Sequence, residues 1–313
     1  MLAYAAKRIV GVVPVLVVVA LFVFLLLHLG SGDPAVLIAG DFAGAGQIAH
    51  VRALLGLDQP LPVQFVHWVG NILHGNLGAS VFSGVSVTRL IGERIWPTLS
   101  LAVGTLICSC GIAIPLGVLA AWRAGTAIDR GVMVFAVVAF SLPAFLVGYA
   151  LIILFGVHWR LLPVQGYVPL AAGVGPFLAH LVLPVVTLSL VYVALLARVT
   201  RAAMIDVLAQ DYIRTAKAKG LTTPTVLLVH GLKGASVPVA TVIGTGIALL
   251  IGGAAVTETV FAIPGLGRLM VEAISRRDYP VIQGLILVFA VVYVLLNLVI
   301  DLVYTVLDPR IRY

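Results

Sequence analysis

Two aspartates are the first residues to weigh as chemistry. Gly30-Ser-Gly-Asp33 sets a carboxylate just beyond one long apolar run, and Asp301 lies at the end of another. Two carboxylates sharing a proton could activate water for peptide hydrolysis, but only if both were buried at one depth. Their positions argue against it, because Asp33 precedes Pro34 past the outer end of the first run and Asp301 lies near the inner end of the last. Asp301 is better read as pairing with a nearby cation such as Arg310, or as snorkelling to the interface. The chain contains no Gly-x-x-x-x-Gly-Lys-Ser/Thr loop to cradle ATP, no His-Glu-x-x-His pair for zinc and no Gly-x-Ser-x-Gly elbow. Cys108 and Cys110 are two apart, so a helix would point them to different faces, as small buried hydrophobes rather than a disulfide or ligand pair. The sequence therefore predicts no enzyme, no cofactor and no metal on this chain.

The elements that carry these residues are set by lipid. Of 313 residues, 62% are hydrophobic and 10% charged, with a mean hydropathy of +1.18, against roughly 25% charged in a soluble domain. In lipid the backbone must satisfy its own polar groups, and the long unalternating runs predict helices rather than a barrel. Runs at 9–27, 97–121, 131–156, 181–197, 236–257 and 281–300 give an all-α integral membrane protein with six transmembrane helices. Lys7 and Arg8 precede the first run as they would in a secretory signal. That run is longer than a signal core and lacks a small-x-small cleavage site, so it reads as a retained anchor.

Charge sets the orientation. With the N-terminus inside, twelve of the nineteen basic residues fall in inner segments, among them Lys7, Arg8, Arg123, Arg130, Arg198, Arg201, Arg310 and Arg312. Both termini are then cytoplasmic. Basic residues bordering apolar runs are topology determinants, so the net charge of +7 predicts no nucleic-acid partner. The ionisable residues read as belonging to spans are few, His28, His180 and Asp301, each at a helix end one residue beyond the apolar run, which leaves a proton-coupled secondary transporter as a remote alternative. The organisation follows: 1–30 tail and first helix, 31–96 extracytoplasmic segment, and 97–313 core domain with five helices and a cytoplasmic loop at 200–235. Within 31–96, turn signals at Gly32-Asp33-Pro34 and Asp58-Gln59-Pro60 flank an amphipathic stretch at 63–73 that should lie on the outer membrane face.

The inner loop reads as a basic amphipathic helix over 204–219, with Ile205, Leu208, Tyr212, Thr215 and Ala216 along one side. Gly220 suits the left-handed residue that ends a helix. Thr223 can cap a second helix with Pro224 at its first position. From composition alone, such a loop could equally lie on anionic lipid. The stretch Asp211-Tyr-Ile-Arg-Thr-Ala-Lys-Ala-Lys-Gly-Leu221, with His230 and Pro238, resembles the coupling loop of ABC importer permeases, in the variant of the dipeptide, oligopeptide and nickel permease family. Arg214, Thr215 and Ala216 stand where the general pattern has Glu-Ala-Ala, so the Glu is lost. Further pieces in order are Gly56-Leu-Asp-Gln-Pro60, Leu77-Gly-Ala-Ser80, Pro97-Thr-Leu99, Leu142-Pro-Ala-Phe145, Glu258-Thr-Val-Phe261-Ala-Ile-Pro264-Gly265-Leu-Gly267, Arg277-Asp-Tyr-Pro280 and Leu307-Asp-Pro-Arg-Ile-Arg-Tyr313. Gly75-Asn76-Leu77-Gly78 departs from the usual Gly-Asp-Leu-Gly.

This resemblance implies a type I ABC importer permease fold in a bacterial plasma (inner) membrane. It implies a homologous second permease subunit, two ABC ATPase subunits or domains carrying ATP and Mg, and an external solute-binding protein, with peptides as cargo and nickel or another small solute as the alternative. It further implies that Arg214, Thr215, Ala216, Gly220, Leu221 and His230 couple to the ATPase. Glu258, Phe261, Pro264 and Gly265 would form an outer gate or binding-protein docking site, with Phe261 as a plug; the alternative for that turn is plain solvent exposure.

Overall fold

The computed structural model describes residues 2–29, 33, 35–36, 44–54 and 56–307. Helices account for the regular structure, and the one β pairing among the described residues is an isolated antiparallel bridge between Ala79 and Ser86. Gly30–Gly32, the C-terminal motif from Asp308 onward and Arg310, suggested as a partner of Asp301, lie outside the described residues.

In chain order the helices are α1 (Leu2–Leu29), α2 (Ala45–Leu54), α3 (Leu61–Leu73), α4 (Val87–Trp122), α5 (Ala127–Ser141) and α6 (Ala144–His158). They continue with α7 (Val174–Leu208), α8 (Asp211–Ala218), α9 (Thr223–Gly234), α10 (Ser236–Val260), α11 (Leu266–Arg276) and α12 (Tyr279–Leu307). Five of the six apolar runs fall on one helix each, and the run at 131–156 is divided between two. Three helices, α4, α7 and α12, are long and apolar enough to cross a membrane, and two bent pairs bring the number to five. The run in α1 is apolar over Gly11–Leu27, just under the same length.

The run at 131–156 is broken. α5 and α6 meet at 98°, because the Pro143 ring disfavours helical backbone at the residue before it and Leu142 is extended at φ −86°, ψ 125°. α6 then relaxes into a π-helix over Ile152–His158.

The chain divides into two compact units, 1–96 with 265–295, and 97–264 with 296–313. In the first, Leu266, Leu269 and Ala273 recur at helical spacing along α11 and bury against Val87, Ile91, Val281 and Leu285. Phe24 of α1 packs edge-on to Phe65 of α3 with ring centroids 5.3 Å apart. α11 ends at Arg277, whose left-handed φ of 55° turns the chain so that the Asp278 N–H reaches the Ala273 carbonyl at 2.8 Å. Buried Asp278 then accepts from Ser80 Oγ at 2.6 Å and from the Val81 N–H at 3.3 Å. Two of the short motifs are thereby joined. Ser80→Ala strands a buried acceptor and should cost about 1–3 kcal/mol, measured as a lower thermal midpoint of the detergent-solubilised protein; an unchanged midpoint would show that the pair is immaterial.

In the second unit α4 and α7 approach at Gly117, where an added Cβ would stand 2.6 Å from the Thr200 Cβ. α7 and α10 meet at Tyr192, which fills the space over Gly246 and whose Oη donates to the Val242 and Ile243 carbonyls at 2.9 and 2.7 Å.

Candidate functional site

The 200–235 loop is built as a compact corner. α7 does not run on to Lys219. It stops at Leu208, Gln210 turns extended (φ −70°, ψ 150°), and α8 starts afresh at Asp211. The break re-phases the helix. Ile213 and Ala216, not Tyr212 and Thr215, form its buried face, against Val226, Val207 and Leu208. α8 ends in a Schellman arrangement, with Leu221 N–H bonded to Ala216 O at 3.3 Å and Gly220 N–H to Lys217 O at 3.0 Å. Gly220 takes the left-handed position at φ +78°, as its residue type predicts. The next helix begins one residue earlier than expected: Thr222 flanks it in extended conformation, its Oγ1 2.9 Å from that of Thr225, and Pro224 is second in α9.

α9 winds through a π-helical stretch over Val226–Gly231 that holds His230, half-buried. It packs on the last turns of α7. At Gly231 an added Cβ would lie 2.8 Å from Met204 Cε, and at Gly234 it would lie 2.6 Å from Tyr212 Oη. These two glycines went unnoticed in the sequence, where nothing marks a close approach. The corner's outer surface is apolar and basic together: Leu221, Leu228 and Val229 are exposed beside Arg214, Thr215, Lys217 and Lys219. Arg214 reaches Asp211 at 3.2 Å, and Thr215 Oγ1 donates to the Asp211 carbonyl at 3.1 Å.

A second feature was not anticipated. Arg201, counted in the sequence only as a topology determinant, forks onto Asp129 in the first turn of α5. Its Nη2 donates to Oδ2 at 2.7 Å, its Nε donates to Oδ1, and the Gly125 N–H donates to Oδ2 at 2.9 Å. Asp129 is buried. The separation of 72 residues hides the pairing from any local reading.

At the other candidate site, α10 extends to Val260, so Glu258 stands within the helix rather than beyond it. Its side chain is 0% exposed and accepts from Thr98 Oγ1 at 2.6 Å, which joins the Pro97-Thr-Leu99 and Glu258-Thr-Val-Phe261 motifs. Phe261 is 1% exposed, among Leu101, Leu183, Leu188, Leu250, Ala254 and Ile263. The alternative of plain solvent exposure does not hold at these two residues, and the ring proposed as a plug packs within an apolar cluster. Its carbonyl accepts the Gly166 N–H at 2.9 Å. Ala262 carries the turn at φ 51°, Pro264 is exposed, and Gly265 leads into α11.

Of the aspartates weighed first, Asp33 is engaged by Arg52 and accepts the Ala35 N–H at 3.0 Å. The first unit also holds an open pocket of about 380 Å³ lined by Gln59, His67, Trp68, Asn71 and Tyr279, with no Asp, Glu, Lys or Arg among the described residues of its lining.

Comparison with known proteins covers the whole chain. A family profile described as the binding-protein-dependent transport system inner membrane component matches residues 113–313. A companion profile for the N-terminal part of such components matches residues 1–102. The "Probable peptide ABC transporter permease protein y4tP" of Sinorhizobium fredii is 51% identical over 310 residues, 99% of each chain. The glutathione transport system permease protein GsiC of Salmonella typhimurium is 44% identical over 314 residues, covering all of both chains.

Proposed function

This chain belongs to the dipeptide/oligopeptide permease family of binding-protein-dependent transport inner membrane components, and we propose that it forms one half of the path by which an ATP-driven importer moves peptides into the cell. The full-length identity to a peptide permease and to a glutathione permease carries this reading. Glutathione is itself a small peptide, so both relatives point to one cargo class. The chain would cross the membrane six times with both termini cytoplasmic, α5 and α6 together forming the third span. It would pair with a homologous permease subunit, receive cargo from an external solute-binding protein, and draw on two partner ATPase subunits for ATP and Mg.

The corner supports the coupling role. Two short helices locked back to back by Ile213, Ala216 and Val226 move as a rigid piece, and the mixed apolar and basic surface outside them suits a protein cleft. Arg214, Thr215, Gly220 and Leu221 lie on that surface, while Ala216 and His230 sit behind it. ATPase closure would then become a rigid-body displacement of α7. Glu258 and Phe261 would act by fixing the extracytoplasmic end of α10, with exposed Pro264 left for docking and Gly265 setting the entry to α11.

Two measurements test this reading. Reporters fused after Arg123 or Lys217 should read cytoplasmic and one at Gly173 external; an external signal at Lys217 overturns the orientation. Proteoliposomes holding the assembled complex should take up labelled di- or oligopeptide or glutathione only with ATP and the binding protein. Uptake of none of these would refute the peptide assignment.

A further inference from the structure

The Asp129–Arg201 pair has a position that a simple stabilising contact does not require. Arg201 sits on α7 about 9 Å of helix rise before Val207, where the corner of α8 and α9 begins to pack. Asp129 sits in the first turn of α5, which the short turn at 123–126 ties to α4, and the other end of α5 is the 98° break at Leu142 and Pro143. α5 is thus a segment of 15 residues with a tight turn at one end and the break at the other. Along its length it touches α7 through Ala136 and Ala139 against Ala194 and Leu190. Side chains this small let the two backbones approach closely, and the forked guanidinium adds a contact that fixes distance and register together.

We infer that the Asp129–Arg201 pair is a positioning contact that makes α5 travel with α7, so that displacement of the 211–221 corner reaches the cytoplasmic half of the broken span. This rests on the coupling role proposed above. Neither residue faces the corner's outer surface, so neither is needed for the ATPase subunits to dock. The effect of loosening the pair falls on the yield of transport per ATP, not on assembly or on hydrolysis itself.

The test uses the complete complex, with sister subunit, ATPase subunits and binding protein, in proteoliposomes. Asp129→Asn and Arg201→Gln should assemble and hydrolyse ATP as wild type does, while peptide taken up per ATP falls at least about fivefold, the lower end of ordinary coupling between sites. Asp129→Glu keeps a carboxylate within reach and should recover most of the ratio. An unchanged ratio in Asp129→Asn overturns the inference. So does failure of both neutral variants to assemble, which would assign the pair to folding. Absence of ATP-dependent uptake by the wild-type complex refutes the transport reading itself and the inference with it, so the two failures are read from different samples.

Discussion

Replacing Phe261 by Ala should destabilise the protein by about 3 kcal/mol, the low end of the cost of removing a buried aromatic ring. The ring is 1% exposed and its edge faces Gly148, where an added Cβ would stand 3.3 Å away. Deleting it leaves a cavity that Leu101, Leu183 and Ile263 cannot close without moving the helices that bear them. The low end applies because the unfolded helices also hide the ring in lipid, so lost packing, not transfer from water, dominates. Phe261→Leu keeps much of the volume and should cost less than about 1.5 kcal/mol. The readouts are the thermal midpoint in detergent and the dependence of ATP hydrolysis on the binding protein. A lowered midpoint with that dependence intact assigns Phe261 to the core. An unchanged midpoint with hydrolysis freed from the binding protein would restore it as a plug.

The difference between plug and core shows what the sequence could and could not convey. Apolar runs define helices because lipid leaves the backbone no other choice, so the all-helical class was legible. Gly220 was legible for a local reason, since left-handed backbone after a helix favours a residue without Cβ. The break at Ala209 and Gln210 was not, because no Pro or Gly marks it. Carrying one helical phase across it put Tyr212 and Thr215 beside Ala216 on one side and missed Ile213, which shares the buried face with Ala216. The bend before Pro143 could have been read from the restriction that proline places on Leu142, yet the unbroken hydrophobicity masked it. Long-range pairs are beyond any local reading: Thr98 with Glu258 and Ser80 with Asp278 lie 160 and 198 residues apart. The short motifs were visible as strings, but only the fold shows that they exist in pairs.

Replacing Gly220 by Val should separate the coupling reading from its alternative, a basic helix resting on anionic lipid. At φ +78° a Cβ meets no neighbour within 4 Å, so the cost is conformational: a β-branched residue in left-handed backbone is strained by about 1–3 kcal/mol. That strain can be relieved only by unwinding the Schellman turn, which gives up the Leu221 and Gly220 N–H bonds to Ala216 and Lys217 and turns Leu221 away. The Ile213, Ala216 and Val226 contacts lie on the other side of α8 and should hold. The variant should therefore insert and pair with its sister subunit, yet lose the ATPase subunits on purification or retain them with hydrolysis no longer linked to uptake. A lipid-surface helix behaves otherwise. Its affinity comes from buried apolar area and from basic side chains worth about 1 kcal/mol each near an anionic leaflet, so removing Lys217 and Lys219 would matter more than reshaping the turn. Co-purification of ATPase and peptide uptake, compared between Gly220→Val and the Lys217→Gln, Lys219→Gln double variant, distinguish the two. Intact ATPase binding and uptake in the Gly220 variant, beside failure of the charge variant, would refute the coupling assignment.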